Sequence, residues 1–205
     1  IQGEGGIRPA EKEFLAKIRE LSTEKDILLI YDEVQCGIGR TGDLFAYQAY
    51  EIPPDVIALA KGLGGGFPIG AIMATEKAAA AFKPGDHAST FGGNPAACTA
   101  AKEVLNALLN KGILKNVKEQ GQYLRKKLES LKEKYKVVSD VRGIGLIQGI
   151  ELSVPIGNII NTCIEKGLLL VGAGTNVIRF VPPLTVNQGE IDKAICILEE
   201  SLKEA

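Results

Sequence analysis

Ile27-Leu28-Leu29-Ile30-Tyr31-Asp32 and Val56-Ile57-Ala58-Leu59-Ala60-Lys61 decide the fold of this chain. Each is an apolar run of strand length that closes on one polar residue. A stretch with helical spacing precedes the first run at 11–21, a short helix is predicted over 44–51, and a third strand is predicted over 69–75. Strands that alternate with helices predict a mostly parallel sheet of the α/β class.

Asp32 and Lys61 place a carboxylate and an amine at two strand ends, and pyridoxal phosphate chemistry requires both groups. A lysine holds this cofactor as a Schiff base, and an acid opposite the ring nitrogen keeps that nitrogen protonated, so that the ring accepts electrons. A strand-end aspartate alone is more often a turn former, and a lysine before glycines is more often a solvated loop residue. Their combination predicts a pyridoxal phosphate enzyme with Asp32 and Lys61 as catalytic residues.

The second half of the chain has a different pattern. Asn94-Pro95 predicts a helix start, and a second helix is predicted from about Leu114 to Tyr135. From Val137 onward the pattern predicts a compact α+β unit. Its predicted elements are a strand at 146–152, a helix at 156–166, strands near 168–171 and 177–181, and a helix at 189–203. We therefore predict a domain boundary near residue 112.

Composition narrows the class of partner. Lys and Arg number 24 and Asp and Glu 25, so the formal charge of −1 gives no basic surface for nucleic acid or an anionic membrane. No apolar run is long enough to span a bilayer. His87 is the only histidine and lies in a polar loop, so we expect no metal site. Four widely spaced cysteines without a C-x-x-C pair suit a reducing, cytoplasmic compartment.

Four motifs carry a resemblance to a known family. They are Tyr31-Asp32-Glu33-Val34-Gln35 with 37–42 (GIGRTG), Pro54-Asp55-Val56 with 60–66 (AKGLGGG), 89–95 (STFGGNP), and 172–184 (GAGTNVIRFVPPL). Together they resemble the class III (ornithine-type) pyridoxal phosphate aminotransferases, and the fourth is most similar to the acetylornithine branch. The resemblance implies a fold-type I aminotransferase. Residues 1–112 would be the later part of its cofactor-binding domain, and residues 113–205 a linking helix and a small C-terminal α+β domain.

The resemblance implies a role for four cofactor-binding residues. Lys61 would be the Schiff-base lysine and, once released, the group that moves a proton on the substrate. Asp32 would pair with the pyridinium nitrogen, and Gln35 would hydrogen-bond the phenolic oxygen of the cofactor. Thr90 would reach the cofactor phosphate of the neighbouring subunit, which implies a homodimer with shared active sites.

The resemblance also implies the substrates. Arg179 would hold the α-carboxylate of the amino donor, and Glu4 would pair with this arginine when the other substrate is bound. The implied reaction moves an amino group between N2-acetyl-L-ornithine and 2-oxoglutarate, giving N-acetylglutamate 5-semialdehyde and glutamate, in arginine biosynthesis. The acyl group of the donor is left open, with N-succinylornithine and free ornithine as the other choices.

The chain begins at Ile1, without a methionine, inside a glycine-rich segment. Its motifs resemble the second half of the family's proteins. We therefore expect a missing half that brings the Ser-Gly-Thr turn around the cofactor phosphate and the aromatic residue that stacks on the ring. The isolated chain would then be inactive.

Two readings of other classes remain. Residues 37–42 satisfy G-x-G-x-x-G, the dinucleotide-binding fingerprint, but four residues separate Asp32 from its first glycine, and the next strand ends in Ala60-Lys61 where the fingerprint needs an acid. Nicotinamide binding is therefore disfavoured. A fragment that keeps the fold without catalysis is the second alternative, and a visible absorption spectrum would separate the three.

Overall fold

A computed structural model describes residues 1–204. They form two compact units, one of residues 11–113 and one of residues 1–10 with 114–204. The first unit contains α1 (Lys12–Glu24), β1 (Ile30–Asp32), β2 (Val56–Leu59), β3 (Ala71–Ala74), α2 (Glu76–Ala79) and α3 (Pro95–Asn110). The helix α4 (Ile113–Lys134) starts at the last residue of this unit and otherwise belongs to the second. The second contains β4 (Val138–Ile144), β5 (Ile147–Leu152), α5 (Gly157–Glu165), β6 (Val171–Ala173), β7 (Val177–Phe180) and α6 (Gln188–Lys203).

The first unit has a three-stranded sheet in the order β1-β2-β3. β1 and β2 run parallel, as the sequence pattern predicts, whereas β3 runs antiparallel to β2. A parallel neighbour would need a crossover of a dozen or more residues, usually a helix. The connection at 60–70 is a short glycine-rich segment instead, so the chain turns back beside β2.

Asp55 holds together the segments that lead into β1 and β2. Its Oδ2 accepts hydrogen bonds from the Leu29 N–H at 2.8 Å and from Arg19 Nη1 on α1 at 2.9 Å. The Asp55 N–H in turn donates to the Leu29 carbonyl at 2.8 Å. One side chain therefore joins α1, the start of β1 and the start of β2.

α3 begins where the sequence predicts. The Asn94 side chain caps it by accepting the Ala97 N–H at 2.9 Å, and Pro95 occupies the first turn, where its missing N–H costs nothing. The helix packs against the turn that follows β2: a side chain added at Gly65 would come within 2.9 Å of Val104 Cγ2. Glycine at this position therefore permits the close approach.

The second unit is built on an antiparallel sheet in the order β4-β5-β7-β6. Its core contains large aliphatic side chains that are almost fully buried: Leu124, Leu128, Ile150, Ile159, Ile178 and Leu198. Burial of each such side chain contributes about 1.5–3 kcal/mol. Gln148 on β5 donates to the Gly121 carbonyl of α4 at 2.6 Å, so a polar contact also joins helix and sheet.

Residues 1–10 pack with this second unit. Gln2 and Arg8 exchange two backbone hydrogen bonds, at 3.0 and 3.1 Å, and close a loop between them. Ile7, which is fully buried, packs against Ile147, Ala173 and Val177. The sequence assigned residues 1–112 to one domain, but this contact places the first ten residues with the C-terminal unit. No helix of residues 1–204 is long and apolar enough to cross a membrane.

Candidate active site

Asp32 and Lys61 lie at the same edge of the first sheet. In the parallel register of β1 and β2, Asp32 is the partner of Ala58, and the Glu33 N–H donates to the Ala58 carbonyl at 3.0 Å. Lys61 follows three residues after Ala58, just beyond the end of β2. Because the carboxyl ends of neighbouring parallel strands share one edge, the acid and the amine are brought into one region, and both side chains are exposed there.

Lys61 has an unusual backbone. It begins a 3₁₀ turn, Lys61–Gly64, with φ at +46°, in the left-handed region that long side chains rarely adopt. Such a conformation costs on the order of 1–3 kcal/mol and persists only where the surrounding structure fixes it. Strained residues of this kind concentrate at functional sites. Ile7, Asp26, Ile38 and Glu51 share this backbone conformation, so the strain supports Lys61 as a candidate together with its place at the sheet edge.

Asp32 is oriented by the turn that follows it. Its Oδ1 accepts the Val34 N–H at 2.9 Å. Gln35, which is partly buried, lies in the same turn, residues 34–41. The sequence therefore places Gln35 three residues after Asp32, in a segment that begins at the same sheet edge.

Glu33 was not singled out in the sequence, yet it organises this region. Glu33 as a whole is 2% exposed, and its carboxylate accepts the N–H groups of Ala46 at 2.6 Å and Tyr47 at 2.8 Å. Burial raises the pKa of this carboxyl group, although the two N–H donors favour its charged form. The sequence did not indicate a role for Glu33, because an acidic residue at a strand end is commonly solvated.

Thr90 lies in an exposed segment, residues 79–93, ahead of the Asn94 cap of α3. Phe91 and His87 of the same segment are exposed as well. The structure brings Thr90 near the start of α3, but it supplies no hydrogen bond from Thr90 to Asp32 or Lys61 within residues 1–204.

The second unit contains an acid–base pair of its own. Arg179 Nη1 lies 2.5 Å from Glu4 Oε1, and the two residues are 175 positions apart. Arg179 is 15% exposed, and it lies on β7 between Gly149 of β5 and Val171 of β6. A planar guanidinium held in a sheet is suited to bidentate contact with a carboxylate. No group of three or more His, Cys, Asp and Glu side chains within residues 1–204 is arranged to hold a metal ion.

A family model described as aminotransferase class-III matches residues 1–202. The chain belongs to the class III aminotransferases. Curated proteins similar to it include the acetylornithine aminotransferase of Clostridium acetobutylicum, 57% identical over 204 residues, and that of Caldanaerobacter subterraneus, 53% identical over 205 residues. These alignments cover 99% and 100% of this chain but 53% and 52% of the two relatives. The chain therefore spans about half the length of the curated class III aminotransferases it matches.

Solved class III structures share the fold. An ornithine aminotransferase from Plasmodium yoelii superposes with a TM-score of 0.94 at 35% identity, covering 100% of this chain and 56% of that protein. An N-acetylornithine aminotransferase from Stenotrophomonas maltophilia gives a TM-score of 0.88 at 40% identity, covering 100% of this chain and 54% of that one. The fold expected from the sequence, that of a pyridoxal phosphate aminotransferase, is confirmed.

Proposed function

We propose that this chain is the lysine-bearing half of a pyridoxal phosphate-dependent aminotransferase that acts on N2-acetyl-L-ornithine and 2-oxoglutarate. The observation that carries the proposal is the meeting of Asp32 and Lys61 at one sheet edge, with Lys61 held in a strained backbone conformation. The names of the similar curated proteins support the substrate.

The residues at this edge fit the cofactor. Asp32 has an exposed carboxylate oriented by one backbone N–H, Ala58 beside it carries only a methyl group, and Lys61 is exposed beyond the strand end. When bound, pyridoxal phosphate supplies a cationic ring that accepts electrons from the substrate. The Asp32 carboxylate would hold the proton on the ring nitrogen, which a neutral residue at this position could not do.

Lys61 Nζ has two tasks in the proposed reaction. Its amine would hold the cofactor covalently until the amino donor takes its place. The free amine would then lie close to the substrate, where it would take a proton from the carbon that bears the amino group and return it in the next step. Gln35 is proposed to hydrogen-bond the phenolic oxygen of the cofactor. Thr90 is proposed to contact the phosphate held by a second subunit, which makes a homodimer with shared sites part of the proposal.

Arg179 and Glu4 are proposed to select between the two amino donors. Glutamate has an α-carboxylate that Arg179 can hold with two parallel hydrogen bonds. Acetylornithine presents its δ-amino group without such a carboxylate nearby. Glu4 then neutralises Arg179, so that no uncompensated cation faces the donor. The 2.5 Å pair between these side chains corresponds to this second arrangement.

The products of the proposed reaction are N-acetylglutamate 5-semialdehyde and glutamate, in arginine biosynthesis. A cytoplasmic location is proposed because the four cysteines are free and suit a reducing compartment. The second candidate is an aminotransferase for ornithine, succinylornithine or another ω-amino donor. The structural similarity to the Plasmodium yoelii ornithine aminotransferase supports this second candidate.

The test uses the complete polypeptide and a chimera in which residues 1–205 replace the matching half of the Clostridium acetobutylicum protein. Each is incubated with cofactor, 2-oxoglutarate and one of three donors: acetylornithine, succinylornithine or ornithine. We expect glutamate formation that is fastest with acetylornithine and is lost in Lys61→Ala but kept in Lys83→Ala, a change of an exposed loop lysine. The isolated 205 residues should be inactive, since large apolar side chains such as Ile30 and Ile72 are exposed.

If ornithine or succinylornithine is turned over faster than acetylornithine, that donor is the substrate and the proposed substrate is wrong. A folded, cofactor-loaded chimera without activity toward any donor would instead support a non-catalytic role for this chain.

A further inference from the structure

Two arginines flank one glycine in the sheet of the second unit. Arg142 on β4 is the register partner of Gly149 on β5, and Gly149 is the partner of Arg179 on β7. Residues directly opposite one another in antiparallel strands direct their side chains to the same face. With strands about 4.8 Å apart, the two arginines stand roughly 10 Å from each other on either side of the glycine.

The loop from Gln2 to Arg8 lies over this glycine. A side chain added at Gly149 would come within 3.1 Å of Ile7 Cβ and 2.9 Å of Val177 Cγ1, so Ile7 occupies the space that the missing side chain leaves. Ile7 is fully buried, with φ at +52°. The loop is therefore anchored between the two arginines by one apolar side chain.

Arg142 holds one side of this loop. Its Nε donates to the Gly6 carbonyl at 2.8 Å. Its Nη1 contacts Asp140 at 2.9 Å and also Glu151, and the side chain is only 13% exposed. The two carboxylates orient the guanidinium, which leaves Nε directed at the loop backbone.

Arg179 contacts the other side of the loop through Glu4. The Glu4 carbonyl accepts the Gly174 N–H at 2.8 Å, so the backbone of this residue is also attached to the segment between β6 and β7. The side chain of Glu4 is 70% exposed and reaches Arg179 from this attached backbone. A residue that holds the loop backbone in place therefore also determines the distance between the Glu4 carboxylate and Arg179.

We infer that Arg142 is a positioning residue, which holds the loop so that Glu4 can neutralise Arg179, and thereby contributes to the choice between glutamate and an ω-amino donor. The inference rests on the proposed function of the Glu4–Arg179 pair. Arg142 touches neither substrate nor cofactor in this scheme. Its effect passes through Gly6 and the loop backbone to Glu4.

Arg142→Lys in the complete polypeptide is the first test. Lysine keeps a cation between Asp140 and Glu151 but replaces the planar fork with a single ammonium group, so the bond to the Gly6 carbonyl is lost. We expect the ratio of kcat/KM for glutamate to kcat/KM for acetylornithine to rise by about threefold or more, a coupling typical of residues linked through a shared backbone shift. Hydrogen exchange at the Gly174 N–H should become faster. Arg125→Lys, at an ion pair with Glu129 on α4, is the matched control and should change neither quantity.

A double variant separates positioning from general destabilisation. In the Glu4→Ala background, Arg142→Lys should cause no further change in the donor ratio, because the residue it positions is absent. If the lysine variant does not fold, the combined change Arg142→Met, Asp140→Asn and Glu151→Gln removes all three charges together, and Lys132, the other partner of Asp140, keeps its contact with solvent. It should give the same shift in ratio.

The outcomes separate this inference from the proposed function. If Glu4→Ala leaves the donor ratio unchanged, the proposed role of the Glu4–Arg179 pair fails. If Glu4→Ala shifts the ratio but the Arg142 variants lower both kcat/KM values equally, or act equally with and without Glu4, Arg142 is only structural and the inference is overturned.

Discussion

Asp32 lies opposite Ala58 in the parallel register of β1 and β2, and this places the acid at the sheet edge from which Lys61 emerges. Asp32→Asn keeps the shape of the side chain and an oxygen that can accept the Val34 N–H. We expect a folded protein that binds cofactor but turns over roughly 10²–10³-fold more slowly, because a neutral amide does not hold the ring proton. Single-turnover kinetics measure this, with Asp26→Asn, an exposed residue, as the control. An unchanged rate would show that another acid faces the ring.

Arg179→Lys should separate substrate binding from a structural role. A lysine keeps the charge but loses the bidentate geometry, so we expect the KM for glutamate to rise by an amount that corresponds to about 1.5–3 kcal/mol. The melting temperature should change little, because Glu4 retains a cationic partner. Steady-state kinetics and thermal unfolding provide the two measurements. A large drop in melting temperature with an unchanged KM would assign Arg179 to the fold alone.

Asp55 gives a pH-dependent contribution to stability. The Leu29 N–H lowers the pKa of its carboxyl group most, and the Arg19 guanidinium lowers it further, against the opposing effect of partial burial. Because the folded pKa lies below the unfolded value of about 3.9, the stabilisation is complete above that pH. It is lost as the pH falls through the lower folded value.

Asp55→Ala should therefore reduce the free energy of unfolding at pH 7 by about 1.5–3 kcal/mol, the usual range for hydrogen bonds to a charged group. The difference from the wild-type protein should shrink below pH 4. Urea unfolding at several pH values measures it. Asp26→Asn, which removes the charge of an exposed ion pair with Lys77 and tolerates the left-handed backbone at this position, is the control and should have no measurable effect. A pH-independent difference at Asp55 would contradict the assignment.

Two helical glycines should respond oppositely to alanine. A Cβ at Gly121 in α4 would lie 2.6 Å from the Gly145 carbonyl oxygen, whereas a Cβ at Gly157 in α5 has nothing within 4 Å. Gly121→Ala should destabilise by about 1–3 kcal/mol, because it forces α4 away from the sheet. Gly157→Ala should stabilise by about 0.4–1 kcal/mol. Chemical denaturation compares the two, and equal effects would mean that α4 does not pack closely on the β4–β5 turn.

Much of the fold could be predicted from local patterns. Helical spacing predicted α1, α3, α4, α5 and α6 to within a few residues, and the two apolar runs predicted β1 and β2. β4 was missed, because its sequence Val-Ser-Asp-Val-Arg-Gly-Ile carries two charged residues. Those charges are Asp140 and Arg142, which pair with each other, and Arg142 also pairs with Glu151 of β5, which lies alongside only in the folded sheet. The cross-strand partner that makes the strand stable is invisible in a local window.

Only part of the candidate site was proposed from the sequence. Lys61 and Asp32 were proposed because each ends an apolar run, and Arg179 because the motif at 172–184 resembles that of the family. Glu33 was missed because its partners, two backbone N–H groups, lie 13 and 14 residues further along the chain. Arg142 was not singled out as a site residue either, and its hydrogen bond to the Gly6 carbonyl joins residues 136 positions apart. Contacts between distant segments depend on topology, which periodicity does not specify.

Lys61 gives the most direct measurement. The complete polypeptide, loaded with pyridoxal phosphate, is reduced with sodium borohydride, which makes the bond between lysine and cofactor permanent, and the labelled peptide is identified by mass spectrometry. If Lys61 holds the cofactor, the label lies on Lys61 alone, and Lys61→Ala removes both the label and the visible absorbance while leaving the far-ultraviolet circular dichroism unchanged. A label on any other lysine, or bound cofactor that borohydride does not attach, would contradict the proposed site.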